Sequence, residues 1–197
     1  MLKLLDKYDL TPKASDLVAK YVALLMRWNP KIQMTATKDE QEFVSRHVVD
    51  SLELAKHIDG EIRTMIDVGS GGGLPGVLLA IVHPEIEFLL IEPTNKKHAF
   101  LSTARRELGL GNMRTKAVRD EQLLASEDFT KFDAAVARAV WSVEEWLERA
   151  PTLVRPGGQI FAMEGLRQAE VEGDFVRHSY ELEAGRTRSI LQVTVPA

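Results

Sequence analysis

The sequence contains no cysteine among its 197 residues. Disulfide bonds, thiolate nucleophiles and Cys-ligated zinc are therefore excluded. Long apolar runs are missing too, because charged residues interrupt every stretch well before about 18 apolar residues in a row. The five histidines have no HExxH or other metal-ligand spacing. These absences predict a soluble cytoplasmic protein with neither a metal site nor a membrane segment.

The chain also lacks a strong excess of positive charge. Its formal net charge is −4, which argues against nonspecific coating of nucleic acid, since such binding relies on neutralising phosphates with Lys and Arg. Basic residues do cluster locally, as in Lys96-Lys97-His98 and Arg105-Arg106. Taken singly, each cluster is explained by a solvated helix face. The composition is that of one globular domain, with room for a local basic patch.

Glycine, in contrast, is concentrated at one place, directly after an apolar segment. The stretch Met65-Ile-Asp-Val-Gly-Ser-Gly-Gly-Gly-Leu-Pro-Gly76 runs from a predicted strand into a turn and then a helix. Gly69, Gly71 and Gly73 are spaced G-x-G-x-G, while Gly71, Gly73 and Gly76 fit the G-x-G-x-x-G of dinucleotide-binding loops. Glycines permit positive φ and close approach of a ligand to the backbone. The pattern predicts a nucleotide-cofactor loop but leaves the cofactor open.

Two acidic residues favour one cofactor. Asp67 precedes Gly69 by two residues, and Glu92 ends the next apolar segment, Glu87-Phe-Leu-Leu-Ile-Glu92. A carboxylate beside the loop repels a pyrophosphate but suits the amino group of a methionine moiety, and Glu92 can accept both ribose hydroxyls. We therefore expect S-adenosylmethionine rather than NAD, held by Asp67, Gly69, Gly71, Gly73 and Glu92.

The first 60 residues read as a helical extension to a domain over residues 61–197. Ser15 is the expected N-cap of a helix that runs through Trp28, and Pro30 is expected to stop it. A second helix is predicted from about Glu40 to Ile58, with apolar residues on one face. Arg46, His47 and Asp50 form a polar group at i, i+1 and i+4 of that helix.

From Arg63 onward strands and helices alternate, which predicts a sheet covered on both faces. The predicted strands lie near 64–69, 86–92, 113–117, 132–137 and 158–163, and the predicted helices at about 75–82, 95–109, 119–125 and 142–154. Tyr180–Glu183 and Arg188–Val195 flank Ala184-Gly185 and predict an antiparallel hairpin. Together these elements indicate an α/β, Rossmann-like class I methyltransferase fold with a mostly parallel seven-stranded sheet and an antiparallel C-terminal hairpin.

In an open α/β sheet, ligands bind outside the carboxyl ends of the strands. The third strand leads to Asp120 and Glu121, which suit an adenine or serve only as charges at a helix start. The fourth strand delivers Arg138 after a buried apolar run, so its guanidinium needs a partner or a ligand. Asp133 and Glu145 are the candidate structural partners.

Motifs outside this generic core carry a resemblance to a known family. They are Trp28-Asn29, Thr35, Arg46-His47-Val-Val-Asp50-Ser51-Leu52, the loop from Asp67 to Gly76, Lys96-Lys97 with Phe100-Leu101, and Ala137-Arg138-Ala139. From about Leu17 to Val195 the chain resembles the bacterial glucose-inhibited division protein B family. These proteins methylate N7 of a guanine in 16S ribosomal RNA, at position 527.

The resemblance implies an S-adenosylmethionine-dependent enzyme that acts on 16S rRNA or the 30S particle. It implies that Gly69 and Leu74 contact the cofactor, that Asp120 and Glu121 flank the adenine, and that Arg138 binds the cofactor beside its reactive end. The candidate RNA contacts are Arg46, His47, Lys96 and Lys97. Guanine N7 has a lone pair and no proton, so no general base is expected and Arg138 would position the target. A monomer is expected.

Two departures from the family pattern keep other functions open. Gln33-Met34-Thr35 stands where the family usually has Asn-Leu-Thr, and Glu164 stands where it has lysine. If that lysine binds RNA, Glu164 would repel phosphate. A small-molecule methyltransferase of the same fold and a non-catalytic cofactor- or RNA-binding protein are the alternatives. An NAD-dependent oxidoreductase is disfavoured by the glycine spacing and Asp67.

Overall fold

A computed structural model describes residues 4–165, 167–182 and 185–196. The strands are β1 (Thr64–Val68), β2 (Glu87–Ile91), β3 (Met113–Lys116), β4 (Phe132–Arg138), β5 (Val154–Met163), β6 (Val176–Leu182) and β7 (Arg186–Thr194). The helices are α1 (Pro12–Ile32), α2 (Glu40–Phe43), α3 (Val49–Ala55), α4 (Gly76–Val82), α5 (Asn95–Leu108), α6 (Asp120–Leu124) and α7 (Val143–Arg149). A π-helical turn, Val44–Val48, joins α2 to α3.

The strands form one seven-stranded sheet in the order β3-β2-β1-β4-β5-β7-β6. β1 to β5 are parallel, whereas β7 is antiparallel to both β5 and β6. This arrangement confirms the predicted fold class and the C-terminal hairpin. The strand order reverses between β1 and β4, and at such a switch point the carboxyl ends of the strands leave a crevice for a ligand.

The two faces of the sheet are buried in different cores. Met65 and Val136 belong to the core that the N-terminal helices, α4 and α5 cover, whereas Ile66 and Ala135 pack with Trp146 of α7. Side chains alternate between faces along a strand. Asp67 and Arg138, each two residues beyond a member of the first core, are therefore directed toward the N-terminal helices. The domain boundary at residue 60 stays a prediction, since those helices share this core.

The first helix is longer at both ends than expected. It begins at Pro12, and the N-cap is Thr11, whose hydroxyl accepts from the Ala14 N–H at 3.1 Å, so the assignment of Ser15 is wrong. Proline is favoured at the first helical position, because its missing N–H has no intrahelical partner there. Pro30 does not stop the helix, since in the last turn it removes only one backbone hydrogen bond. The helix ends where Gln33 turns left-handed, with φ of 51°.

The second helical segment starts at Glu40, as predicted, with Asp39 as its N-cap. It ends at Ala55 rather than Ile58. Its middle is the π-helical turn that carries Arg46 and His47. Turns of this kind occur often at functional sites, and the apolar periodicity of the sequence gives no sign of one.

The remaining boundaries differ from the predictions by a few residues. β5 begins at Val154 rather than at 158, and α7 ends at Arg149 with a 3₁₀ turn behind it. Gly109, with φ of 65°, is the C-cap of α5 as expected. Of the predicted hairpin turn, Ala184 lies outside the described residues. Among the residues described, no helix is long and apolar enough to cross a membrane.

Candidate cofactor and substrate site

The glycine-rich loop lies between β1 and α4 and is fastened from two sides. The N–H groups of Gly69 and Ser70 donate to the carbonyl of Ile91, at 2.9 and 3.1 Å, which ties the loop to the end of β2. From the other side, the buried hydroxyl of Tyr21 in α1 donates to the carbonyl of Gly72 at 2.6 Å. The loop is therefore held in shape by the sheet and by the N-terminal helix together.

The glycines of this loop have different tasks. A Cβ on Gly69 would lie 2.4 Å from a methyl carbon of Val140, one on Gly73 2.3 Å from Val77, and one on Gly76 2.5 Å from Asp67. Those three are required for packing. Gly71 has φ of 54°, but the first atom its Cβ would meet is a carbonyl oxygen 3.9 Å away. Gly71 therefore presents bare backbone to open space, as a cradle for a ligand does.

Asp67 is the penultimate residue of β1 and is buried, with 1% of its surface exposed. One carboxylate oxygen, Oδ2, accepts from the Gly76 N–H at 2.9 Å. The other, Oδ1, is buried and has no hydrogen-bond partner among the described residues. Burial raises the pKa of Asp67 to about 7. An ammonium group placed at Oδ1 would supply the missing partner, so the residue fits the amino group of S-adenosylmethionine.

The raised pKa of Asp67 makes a prediction about stability and pH. Its usual value is 3.8, so between about pH 4 and 7 the native state binds a proton that the unfolded state has lost. In this window the free energy of unfolding of the wild type should fall, relative to that of Asp67→Asn, as the pH rises. Urea titrations of both proteins at several pH values measure this. If the difference in unfolding free energy between the wild type and Asp67→Asn stays constant from pH 4 to 7, this would contradict the burial of Asp67 as an unpaired carboxyl.

Glu92 follows β2 and is buried beside the loop. Its Oε2 accepts from the Gly71 N–H at 3.0 Å and its Oε1 from the Thr94 N–H at 2.8 Å. Each carboxylate oxygen has a second lone pair. Glu92 thus shapes the loop and keeps acceptor capacity for a pair of hydroxyls, which fits a ribose.

Asp120 and Glu121 lie at the start of α6, after β3. Arg149 at the end of α7 bonds both of them, with Nη1 3.1 Å from Oδ2 of Asp120 and 2.9 Å from Oε1 of Glu121. Asp120 is buried and Glu121 is exposed. Sequence reasoning missed Arg149, because a basic residue at the end of a charged helix gives no sign of this pairing.

Arg138 ends β4 and bonds a residue that the sequence did not suggest as its partner. Its Nη1 donates to Oδ2 of the buried Asp50 at 3.0 Å. The expected partners are engaged elsewhere, since Asp133 binds Arg155 and Glu145 accepts from the Ser142 N–H. Asp50 also accepts from Arg188 at 2.9 Å and from the Tyr180 hydroxyl. Ala139, directly after Arg138, has φ of 57°, a strained conformation of the kind that clusters at functional sites.

His47 faces the same cluster. Its Nδ1 is 3.4 Å from Nη1 of Arg138, and its Nε2 is 3.3 Å from the Thr35 hydroxyl. Burial, and then the charge of Arg138, lowers the pKa of His47 to about 4. The imidazole is therefore neutral near pH 7, with Nδ1 accepting from Arg138. A neutral ring is suited to orienting Arg138 or a base, and less to holding a phosphate.

The other predicted RNA contacts lie at the rim of this edge. Arg46 is half-exposed and pairs with Glu42 at 2.6 Å. It lines a groove of about 340 Å³ with Arg186 and Arg188, and Asp39 and Glu42 line the groove as well. Lys96 and Lys97 lie in the first turn of α5, close in sequence to Glu92. Leu74, expected at the cofactor, is buried between the glycine loop and α4.

The repulsion of phosphate that the sequence suggested for Glu164 is not supported, because its carboxylate is buried and paired rather than free to face a substrate. Its side chain has no exposed surface and is paired with Arg177, whose Nε lies 2.9 Å away. It also accepts from the Ser189 hydroxyl at 2.6 Å and from the Ala169 N–H at 2.7 Å. Here the residue ties the loop after β5 to β6 and β7.

Removing that charge should weaken the fold and leave RNA binding unchanged. We expect Glu164→Gln to lower the free energy of unfolding by about 2–4 kcal/mol, because it leaves the mostly buried Arg177 unpaired. Glu107→Gln is the matched control, since Glu107 pairs with Arg27 at 3.2 Å on the surface and should change stability by less than about 1 kcal/mol. Urea unfolding measures both. If Glu164→Gln instead bound RNA more tightly and kept the stability of the wild type, repulsion of phosphate by Glu164 would be the correct explanation.

A second cavity lies away from this edge. It has a volume of about 800 Å³ and is lined by residues such as Leu17, Leu52, Ile81 and Asn112. Its walls come from α1, α3, α4 and the end of α5 with the segments that flank them, and contain none of the residues assigned to the cofactor or to the target base. No group of three or more His, Asp or Glu side chains within the described ranges could hold a metal ion.

The sheet order, the glycine cradle and the carboxylates at the ends of β1 and β2 define a class I S-adenosylmethionine-dependent methyltransferase. The model of the family GidB, rRNA small subunit methyltransferase G, matches residues 14–194. The chain belongs to that family, which confirms the resemblance found in its sequence.

Relatives of known name agree with this family assignment, and solved structures agree with the fold. Ribosomal RNA small subunit methyltransferase G of Burkholderia thailandensis is 38% identical over 180 residues, which cover 90% of this chain and 75% of the relative. The protein of that name from Burkholderia pseudomallei is 38% identical and 76% covered. A methyltransferase from Geobacter sulfurreducens has a TM-score of 0.64 at 16% identity, with 99% of this chain and 94% of that one covered. An O-methyltransferase from Bacillus cereus in complex with SAH has a TM-score of 0.62 at 15% identity, with 89% and 90% covered. The two structures are similar in fold alone.

Proposed function

We propose that the protein transfers a methyl group from S-adenosylmethionine to N7 of the guanine at position 527 of 16S rRNA. It acts in the cytoplasm, as a monomer, on RNA within the 30S particle. The family assignment supports the RNA substrate, and the relatives are named for the small ribosomal subunit. The charge reversal at Glu164 does not weaken this proposal, because that carboxylate is buried and paired.

One observation carries the choice of N7 as the methylated atom: the groups at the end of β4 are an anchored guanidinium and a neutral imidazole, which suit holding a base better than removing a proton. The Arg138 guanidinium is anchored by the buried Asp50 at 3.0 Å, and the His47 Nδ1 faces that guanidinium. Guanine N7 presents a lone pair and no proton, so it needs alignment and no general base. A hydroxyl or an amine nucleophile would have to lose a proton in the course of the reaction.

Each part of the cofactor is assigned to residues at the end of a different strand. S-adenosylmethionine supplies a methyl group on a positively charged sulfur. Asp67 would hold its amino group, Glu92 its ribose, and Asp120 with Glu121 its adenine, while Gly69, Gly71, Gly73 and Leu74 form the loop beneath it. This order follows β1, β2 and β3 across the sheet.

At the substrate end, Arg138 has donors beyond the Asp50 bond that can reach the guanine O6. The guanidinium is fixed by Asp50, which in turn accepts from Arg188 and Tyr180, and so it would hold the base with little loss of side-chain entropy. The groove lined by Arg46, Arg186 and Arg188 offers guanidinium groups for flanking phosphates. Lys96 and Lys97 would extend this contact toward α5.

The substrate class is tested with labelled S-adenosylmethionine and three acceptors: 30S particles, protein-free 16S rRNA and free guanosine. We expect label in RNA, most of it in the particle, and none in guanosine. Labelling of guanosine or another small acceptor without RNA would favour the small-molecule methyltransferase. Tight cofactor binding without label in any acceptor would favour a non-catalytic binding protein.

A further inference from the structure

A ladder of stacked side chains connects the sheet to the acidic residues of α6. Its fixed end is Trp146, which is buried and donates from Nε1 to the carbonyl of Phe161 in β5 at 2.9 Å. Trp141, in the loop after Arg138, stacks on Trp146 with ring centroids 5.8 Å apart and an interplanar angle of 5°. The hydroxyl of Ser142 caps α7 and so fixes the start of that helix.

Arg149 is the outer member of this ladder. Its guanidinium carbon lies 5.0 Å from the centroid of the Trp141 ring, a distance at which a cation is attracted to an aromatic face. The same guanidinium bonds Asp120 and Glu121 through Nη1. The stack thus holds a cation between two neighbouring carboxylates that would otherwise repel each other.

We propose that Arg149 is a positioning residue for the adenine of the cofactor, because it orients the Asp120 carboxylate toward the exocyclic amino group. This inference rests on the proposed adenine site at Asp120 and Glu121. Arg149 itself needs no contact with the cofactor. A guanidinium stacked on a ring that is itself anchored loses little entropy when it fixes a carboxylate.

A carboxylate accepts a hydrogen bond from an amino group and is repelled by a carbonyl oxygen at the same place. The experiment therefore compares the binding of S-adenosylhomocysteine with that of S-inosylhomocysteine, which has a carbonyl in place of the amino group. Wild type should prefer the adenine compound by at least about tenfold. Arg149→Met keeps a chain of similar length over Trp141 but loses the charge, and its preference should fall below about threefold. Arg149→Lys should restore most of it.

Arg155→Met is the matched control, since Arg155 is similarly exposed and pairs with Asp133 away from this edge. Its preference should equal that of wild type. Asp120→Asn distinguishes a failure of the proposed adenine site from a failure of the role given to Arg149. If Asp120→Asn loses the preference and Arg149→Met keeps it, the adenine site stands and the role of Arg149 is overturned. If both variants keep the preference, the adenine binds elsewhere, and both the proposed adenine site and the inference about Arg149 are overturned.

Discussion

Arg138→Ala is expected to lower methyl transfer to RNA by about 100- to 1000-fold, the effect of losing a group that positions the reacting base. The protein should stay folded, because the buried Asp50 keeps its bonds from Arg188 and Tyr180. Loss of one charge-assisted hydrogen bond costs about 1–3 kcal/mol. Cofactor affinity should change by less than about tenfold, since the guanidinium is assigned to the target base.

Three measurements on that variant separate positioning from folding: the single-turnover rate, the cofactor dissociation constant and the melting temperature. Arg155→Ala removes an arginine whose partner, Asp133, keeps its bonds from the Arg63 and Thr64 N–H groups. That control should retain full activity. Wild-type rates in Arg138→Ala would remove Arg138 from the site.

Gly71→Val is expected to weaken cofactor binding by at least about 100-fold. A Cβ at this position projects into open space, with 3.9 Å to the first protein atom, so its methyl groups would fill the place assigned to the cofactor. Valine also resists a φ of 54°, which adds about 1–3 kcal/mol of backbone strain. Calorimetric titration with S-adenosylhomocysteine measures the affinity.

Gly109 offers a matched control for the strain. It has φ of 65°, nothing within 4 Å of a built Cβ, and a position at the end of α5. Gly109→Val should therefore lose similar stability and keep its cofactor affinity. Equal affinities in the two variants would contradict the assignment of Gly71 to the cofactor.

The parts of the site that the sequence predicted are those encoded locally. The strand, glycine loop and helix from Thr64 to Val82 lie close to their predicted bounds, because the apolar run and the glycines are continuous there. Both glycine spacings have a physical meaning. Gly71 presents the cradle, whereas Gly76 allows α4 to approach Asp67 closely.

The parts that the sequence did not predict depend on contacts between distant residues. Arg138 and Asp50 are 88 positions apart, and strand periodicity indicates only the face to which Arg138 points. Helix periodicity places Asp50 beside His47 but does not say that both meet the end of β4. The signal was the polar group Arg46, His47 and Asp50 beside the apolar face of that helix.

Glu164 illustrates the same difficulty for charge. In the sequence it reads as a reversed charge at the edge of the sheet. Its partners come from β6 and β7, Arg177 and Ser189, and they bury and neutralise it. Whether a carboxylate repels a substrate depends on such partners, and composition does not reveal them.

The most direct test of the proposed function is to map the methyl group after transfer to 30S particles that lack the modification. Labelled S-adenosylmethionine, nuclease digestion and mass spectrometry identify the nucleotide and the atom. We predict one methyl group per particle, on N7 of the guanine at position 527. Label on a different atom or base, or no label while the protein binds the cofactor, would contradict the proposed reaction.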